Sequence, residues 1–385
     1  MTERMTGQEL VEMVRRVFVP RPEEKRLAIL VDLPDAKVGD DAAWTARRAI
    51  ALEWSRELQA READLGLATD LVLYRNSHTN NGDLPDLAWI HPGGPLPATV
   101  EALDPATAIA MTQVYADHPI LLAPTKFSAT APLKMAAKSH PIRAATMPGF
   151  GAEMIPALRL DYTEINRRVN LLKGLLDRAE GADFRFRHPG GDCALHLDLR
   201  HRSAHASGGL LPEPGVAGNL PSGEAYLVPY EGERAGDPSR SAGELPVQFG
   251  AEVVRYRIDA NKAVAVLSQG PESAREAAQL AQEPAYGNLA ELGLGVLAHF
   301  GVKPIGSVLL DEKLGLHIAF GRSEHFGGQV GPGAFTSPDA VVHIDRVYVP
   351  DVMPAIAVES MDLVMEDGSH IPILRNTEYV LDFRA

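Results

Sequence analysis

The sequence has few of the residues on which several kinds of protein depend. It contains one cysteine, Cys193, among 385 residues, which excludes an internal disulfide framework and a cysteine-rich zinc site. No uninterrupted apolar run reaches the roughly 18 residues that a membrane-spanning helix needs. The first thirty residues mix acidic and basic side chains and lack the apolar core of a secretory signal. These absences predict a cytoplasmic protein that does not act in a membrane.

The sequence also has fewer basic than acidic side chains. The chain has 37 Lys and Arg against 51 Asp and Glu, which gives a formal net charge of −14. A protein with this balance is poorly suited to nucleic acid or to an anionic membrane surface, so neither is expected as a partner. The apolar fraction of 45%, with 23% charged residues, is typical of a globular protein. A peptide or another small molecule, together with metal cations, is the expected class of ligand.

Length and pattern predict two domains. A single hydrophobic core stops growing at about 250–300 residues, and this chain is longer. Over residues 1–182, apolar runs such as 27–31 and 70–74 alternate with helical stretches, which predicts an α/β domain with an open, mostly parallel sheet. From 183 to 385, short β-like runs are separated by glycine and proline, which predicts an α+β domain with a largely antiparallel sheet.

The clearest predicted helix begins after Asp161, which can cap it, with Glu164 three residues later. Apolar residues then follow from Ile165 to Leu176 at steps of four, three and four, which places them on one helix face. The helix is expected to end near Gly181. We therefore place the predicted domain boundary near residue 182.

In the second half, four short segments each contain a carboxylate or an imidazole among apolar or glycine residues. These segments are 219–224, 290–295, 316–321 and 342–345. A charged group in such surroundings is partly desolvated, which costs free energy unless it is paired or binds a cation. In the last segment His343 and Asp345 are two residues apart, so a strand sends both side chains to one face, where they can bind one ion. Taken singly, each segment also has a simpler explanation: a hydrogen-bonded pair in the core, a surface glutamate in a turn, a solvated glutamate of a helix or a buried histidine.

Taken together, the segments resemble the metal-binding signature of the M29 metallopeptidases, the group of aminopeptidase T and aminopeptidase S. The similarity consists of Asn-Leu-Pro-Ser-Gly-Glu at 219–224 with a proline at 229, Gly-Asn-x-x-Glu-x-x-x-Gly at 287–295, Leu-Asp-Glu-Lys at 310–313 before His-Ile-Ala at 317–319, and Gly-Gly at 327–328 before His-x-Asp at 343–345. These motifs occur in the family's order, which is more specific than any one of them. Residues 1–182 resemble the family only in their α/β character.

The resemblance implies a cytoplasmic, homodimeric aminopeptidase that removes N-terminal residues from peptides. It implies two divalent ions, of zinc, cobalt or manganese. The metal ligands carried over position by position are Glu224, Glu291, His317, His343 and Asp345. Three carboxylates and two imidazoles suit two such ions, which can activate a shared water and polarise the scissile carbonyl. A carboxylate that is not fully engaged by metal can take the proton of the water, and Glu291 is the candidate for this role.

The chain departs from the family at one catalytic position. The family has a tyrosine seven residues after the His-Ile-Ala histidine, thought to stabilise the tetrahedral intermediate, and this sequence has Glu324 there. A carboxylate cannot donate a hydrogen bond to an oxyanion unless it is protonated. Either His325 or another nearby residue takes this role, or the reaction differs from peptide cleavage.

Three other functions fit the same scaffold. The first is a metal-dependent hydrolase, a deaminase or amidase, of a small aromatic compound, which the change to Glu324 favours. The second is an iron(II) ring-cleaving dioxygenase of hydroxypyridines. That type keeps His-x-Asp but has an apolar residue in place of Glu224 and a histidine in place of Glu291, so the two glutamates of this chain disfavour it. The third is a non-catalytic binding protein that metal only stabilises, although structural sites are closed by protein ligands and this ligand set suits a water-bearing site better.

Overall fold

A computed structural model of the protein describes residues 3–384. Its α-helices are α1 (Gly7–Phe18), α2 (Ala42–Gln59), α3 (Glu62–Leu65), α4 (Met111–Asp117), α5 (Thr130–Ser139), α6 (Ile155–Leu158), α7 (Tyr162–Leu176), α8 (Pro271–Gln282) and α9 (Val308–Asp311). Its strands are β1 (Arg26–Leu33), β2 (Ala68–Arg75), β3 (Leu87–Ile90), β4 (Ile109–Ala110), β5 (Ile120–Ala123), β6 (Arg143–Thr146), β7 (Ala179–His188), β8 (Gly191–Asp198), β9 (His205–Ser207), β10 (Val216–Asn219), β11 (Glu224–Leu227), β12 (Ala242–Phe249), β13 (Glu252–Asp259), β14 (Lys262–Val266), β15 (Leu289–Gly295), β16 (Leu316–Gly321), β17 (His343–Val347), β18 (Ala357–Met365), β19 (His370–Arg375) and β20 (Glu378–Tyr379). Within this range no helix combines the length and the apolar character needed to cross a membrane.

The contacts divide the chain into two compact units, of which the first comprises residues up to 164 together with 209–222. Its seven-stranded sheet has the order β10-β6-β5-β1-β2-β3-β4. The strands from β10 to β2 pair in parallel, as the sequence predicted. β3 and β4 pair antiparallel at one edge, so the sheet is mixed. The predicted apolar runs lie within β1 and β2, and α2 packs against both strands.

The second unit comprises residues 165–208 and those from 223 onward. It contains two sheets rather than the one that the sequence predicted. The larger has the order β14-β13-β12-β8-β7-β18-β19-β20, and the smaller has the order β17-β16-β15-β11-β9. All the pairings in both sheets are antiparallel, and the predicted hairpin of β13 and β14 is among them.

This division differs from the boundary predicted near residue 182 in two places. Most of α7 groups with the second unit, where Arg168 lies over the rings of Phe300 and Phe383. Residues 209–222 group with the first unit because β10 adds to its sheet beside β6. The assignment of an α/β domain to residues 1–182 and of an α+β metal-binding catalytic domain to residues 183–385 remains a prediction.

Candidate metal centre

One face of the five-stranded sheet carries all the predicted metal ligands. Side chains two residues apart on a strand, and side chains directly opposite each other on paired strands, point to the same face. Gly293 on β15 lies opposite Tyr226 of β11 on one side and opposite His317 of β16 on the other. Ala319, two residues after His317, lies opposite Asp345 of β17. The same alternation brings the remaining ligands, Glu224, Glu291 and His343, to this face.

The ligand atoms form two groups that share Glu291. In the first group, one atom each of Glu224, Glu291 and His317 lie within 4.8 Å of one another, and in the second the same holds for Glu291, His343 and Asp345. Oε1 of Glu291 lies 3.3 Å from Nε2 of His317, and its Oε2 lies 3.3 Å from Nε2 of His343. A single carboxylate therefore connects two three-residue groups, an arrangement that suits two neighbouring ions.

Two buried oxygens of this centre, Oε2 of Glu224 and Oδ1 of Asp345, have no hydrogen-bond partner among the described residues. The imidazole nitrogens that face them lie 3.4 Å and 3.6 Å away, longer than a good hydrogen bond. A buried carboxylate oxygen without a partner is costly, and a divalent cation would provide one. The residues present therefore fit a pair of metal ions.

Backbone carbonyls orient both imidazoles. Nδ1 of His317 lies 3.2 Å from the carbonyl oxygen of Gly315, and Nδ1 of His343 lies 2.8 Å from that of Arg322. When each Nδ1 donates its proton to the carbonyl, each Nε2 is directed at the carboxylates. This is the arrangement by which outer partners orient metal-binding histidines.

In the absence of metal, the carboxylates keep both imidazoles charged. Burial alone would raise the pKa of Glu291, but its hydrogen bonds with His317 and His343 hold it at about 2. Burial opposes the charged form of His317, yet the hydrogen bond to Glu291 and the charge of Glu224 raise its pKa to about 10. His343 is likewise buried, and the charge of Asp345 raises its pKa well above the usual range. Two imidazolium groups thus stand where cations would bind.

Two further residues of this centre, Glu312 and Lys313, are marked in the sequence only as part of the Leu-Asp-Glu-Lys motif. The ammonium group of Lys313, whose side chain is 1% exposed, contacts both Glu224 and Glu312. Burial opposes its charge, but the charges of these two carboxylates raise the pKa of Lys313. Burial, together with the charges of Asp345 and Glu224, raises the pKa of Glu312 well above its usual range. Both residues belong to a polar run that is typical of an exposed turn, so neither the run nor its spacing pointed to a buried site.

The two residues predicted at or beside the position of the family's tyrosine, Glu324 and His325, have different surroundings. Glu324 is 48% exposed and pairs with Arg322 at 2.9 Å. The ring of His325 lies beside that of His343, with 5.2 Å between the centroids. The structure therefore brings His325 next to a predicted ligand, whereas the carboxylate of Glu324 faces a cation.

Gly293 leaves the space that the ring of His317 occupies. A Cβ atom at residue 293 would lie 1.9 Å from Nε2 of His317, so the ring or the strand would have to move. We expect Gly293→Ala to destabilise the protein by about 1–3 kcal/mol, as overpacking does, and to weaken metal binding. Denaturant unfolding and competition with a chelator measure the two effects. At Gly174 a Cβ would meet no other part of the described chain within 4 Å, apart from its own helix, so Gly174→Ala is the matched control. Equal losses in both variants would contradict the prediction.

The comparisons with known proteins bear on the fold. No protein-family model matches the sequence, and no curated protein sequence matches it. The structure is similar to that of the 2,5-dihydroxypyridine dioxygenase from Pseudomonas putida KT2440, with a TM-score of 0.62 over 99% of this chain and 100% of that one, at 13% identity. It is also similar to wild-type AmpT from Thermus thermophilus, with a TM-score of 0.52 over 97% of this chain and 99% of that one, at 17% identity. The chain therefore has a fold that both of these proteins share.

Proposed function

We propose that the protein is a metal-dependent aminopeptidase, which hydrolyses N-terminal residues from peptides with two divalent ions. The observation that carries the proposal is the sharing of Glu291 between two ligand groups, one completed by Glu224 and His317 and the other by His343 and Asp345. Three carboxylates and two imidazoles suit zinc, cobalt or manganese. When bound, such ions supply a polarised scissile carbonyl and a water of lowered pKa.

Glu312 replaces Glu291 as our candidate for proton transfer. Both oxygens of Glu291 face imidazoles and its pKa is about 2, so it accepts a proton poorly near neutral pH. Burial raises the pKa of Glu312, so its carboxylate accepts a proton more readily than that of Glu291. In this proposal a carboxylate oxygen of Glu312 takes a proton from the attacking water and returns it to the leaving amine.

Lys313 serves in this proposal to orient Glu224. Its ammonium group holds Oε1 of Glu224, which leaves Oε2, for which the described part of the chain provides no hydrogen-bond partner, for a metal ion. The positive charge also offsets part of the repulsion among the buried carboxylates. Lys313 therefore acts on the ligand and has no direct part in bond cleavage.

A second candidate function is a metal-dependent deaminase or amidase of a small aromatic compound, and the rings around His343 favour it. The ring centroids of Phe326 and His343 lie 5.4 Å apart, and Tyr226 packs against Phe326 at 4.9 Å. Offset and edge-to-face contacts between rings are favourable, so a planar aromatic substrate beside His343 would pack against these rings. The dioxygenase neighbour shares the fold, but Glu224 and Glu291 differ from the residues that the ring-cleaving type has at these positions.

Turnover of a substrate panel by the metal-loaded protein tests the proposal. The panel contains aminoacyl amides and short peptides, the same peptides with an acetylated N-terminus as matched controls, and aminoaromatic acids and their amides. We expect two ions per chain and release of N-terminal residues from the free-amine peptides alone. Turnover of aromatic compounds without any peptide would contradict the aminopeptidase and support the second candidate. Oxygen-dependent ring opening of a dihydroxypyridine with iron(II) would contradict both.

A further inference from the structure

A buried carboxylate outside both ligand groups, that of Glu231, has no role in the chemistry proposed above. Its side chain is 5% exposed, and the facing cation, Arg202, lies 3.7 Å away. Oε1 accepts hydrogen bonds from Nδ2 of Asn288 at 2.8 Å and from Oγ of Ser323 at 2.6 Å. Oε2 accepts a hydrogen bond from the backbone N–H of Gln329. Glu231 thus holds the connection between β16 and β17 at two points, Ser323 and Gln329.

The first part of this connection, residues 322–330, folds back upon Ser323. The backbone N–H of Ser323 donates to the carbonyl of Val330 at 2.9 Å, and the N–H of Val330 donates to Oγ of Ser323 at 3.2 Å. Gly328 packs closely here, since a Cβ would lie 2.2 Å from Oγ of Ser323 and 2.9 Å from Oε2 of Glu231. The conformation of residues 322–330 therefore depends on the pair formed by Glu231 and Ser323.

The same connection fixes the orientation of His343. Ser323 follows Arg322 directly, and the carbonyl of Arg322 accepts the hydrogen bond from Nδ1 of His343 at 2.8 Å. The N–H of Arg322 donates to the carbonyl of Val342 at 2.7 Å, so the backbone of Arg322 is held at both its N–H and its carbonyl. A displacement of Ser323 would move the carbonyl of Arg322 and, with it, the ring whose Nε2 faces Glu291 and Asp345.

We infer that Glu231 is a positioning residue of the metal centre, acting through Ser323 and the Arg322 carbonyl on His343. The inference rests on the proposed function only in taking His343 as a metal ligand. Outer partners of metal-bound histidines typically contribute roughly 10–100-fold in metal affinity. A glutamine at residue 231 has the same size but one carbonyl oxygen, so it cannot accept all three of the hydrogen bonds that the carboxylate accepts.

The experiment compares Glu231→Gln with Glu233→Gln. Glu233 also pairs with Arg202, but its side chain is 23% exposed and makes no hydrogen bond to residues 322–330 in the described chain. Binding of Zn²⁺ or Co²⁺ is measured by competition with a chromogenic chelator. We expect Glu231→Gln to bind the ion that His343 holds roughly 10–100-fold more weakly, with no change in Glu233→Gln. In the metal-free protein, the amides of Ser323 and Val330 should exchange hydrogen faster in Glu231→Gln only.

Ser323→Ala provides a second variant that breaks the same connection without altering a charge. We expect it to weaken metal binding as well, and the double variant to be no weaker than the worse single one, because both residues act along one connection. Unchanged affinity in Glu231→Gln and Ser323→Ala, or equal losses in Glu231→Gln and Glu233→Gln, would overturn the inference. If Glu231→Gln does not fold, the metal affinity of Ser323→Ala tests the inference instead. Because the readouts are metal affinity and hydrogen exchange, they are independent of whether any peptide is hydrolysed.

Discussion

Glu291→Gln is expected to lose both metal ions and to lower turnover by at least about 10³-fold, the upper end of the loss from removing one transition-state-stabilising group. The carboxylate of Glu291 contributes one oxygen to each ligand group. A glutamine offers one neutral carbonyl oxygen, a weaker ligand than a carboxylate oxygen, so neither group keeps the charged oxygen that Glu291 supplies to it. It also removes a negative charge that two divalent ions need. Metal content after dialysis, measured by atomic emission, and the rate on the best substrate of the panel give the two readouts.

The effect of Glu291→Gln on metal content can be compared with the smaller effect expected for a neighbouring predicted ligand, Glu224. Glu224 belongs to only one ligand group, so Glu224→Gln is expected to lose one ion and to retain the other. Glu359→Gln is the matched control, because Glu359 lies on β18 and pairs with the exposed side chain of Arg187, and such surface pairs contribute little. Wild-type metal content in Glu291→Gln, or one ion lost in both ligand variants, would show that Glu291 does not connect two sites.

The elements that could be predicted from the sequence are those specified by neighbours along the chain. The helix after Leu160 is an example, because Asp161 caps it by accepting hydrogen bonds from the N–H groups of Thr163 and Glu164. The strand that carries His343 and Asp345 is another, since alternation of side chains fixes their common face. The addition of β10 to the first sheet could not be predicted, because a four-residue strand has too short a pattern and its partner β6 is more than 70 residues away.

The sequence predicted which side chains lie together in the candidate centre, but not the residues that surround them. Each ligand lies on a short segment whose apolar neighbours indicate burial, and the family resemblance joined the segments in one site. The register of the strands decides which side chains lie near one another, and nothing in a single segment encodes it. Lys313 and Glu231 therefore could not be predicted, because their roles come from residues 89 and 92 positions away along the chain, Glu224 and Ser323.

The stability of the metal-free protein is expected to fall as the pH rises from about 6.5 towards 10. His317 has a pKa of about 10 in the folded chain against 6.5 when unfolded, and the pKa of His343 is also raised. Between these values the folded state binds more protons than the unfolded state, so the free energy of unfolding decreases with pH. The stabilisation is fully present below pH 6.5 and is lost as the pH passes the folded-state pKa. A loss on the order of a few kcal/mol is expected, at about 1.4 kcal/mol per pKa unit for each group.

Metal ions are expected to reverse this dependence, because imidazole must lose its proton before it can bind a cation. The rise in melting temperature caused by Zn²⁺ or Co²⁺ should therefore be larger at pH 9 than at pH 6. Urea unfolding of the protein with a chelator and thermal unfolding with metal measure the two dependences over this interval. His317→Gln is expected to weaken the pH dependence of both quantities, the stability of the metal-free protein and the rise in melting temperature caused by metal. His370→Gln, which replaces an exposed histidine of β19, should leave both pH dependences unchanged. A metal-free protein whose stability stays constant or increases from pH 6.5 to 9 would show that the carboxylates do not hold these imidazoles in their charged form.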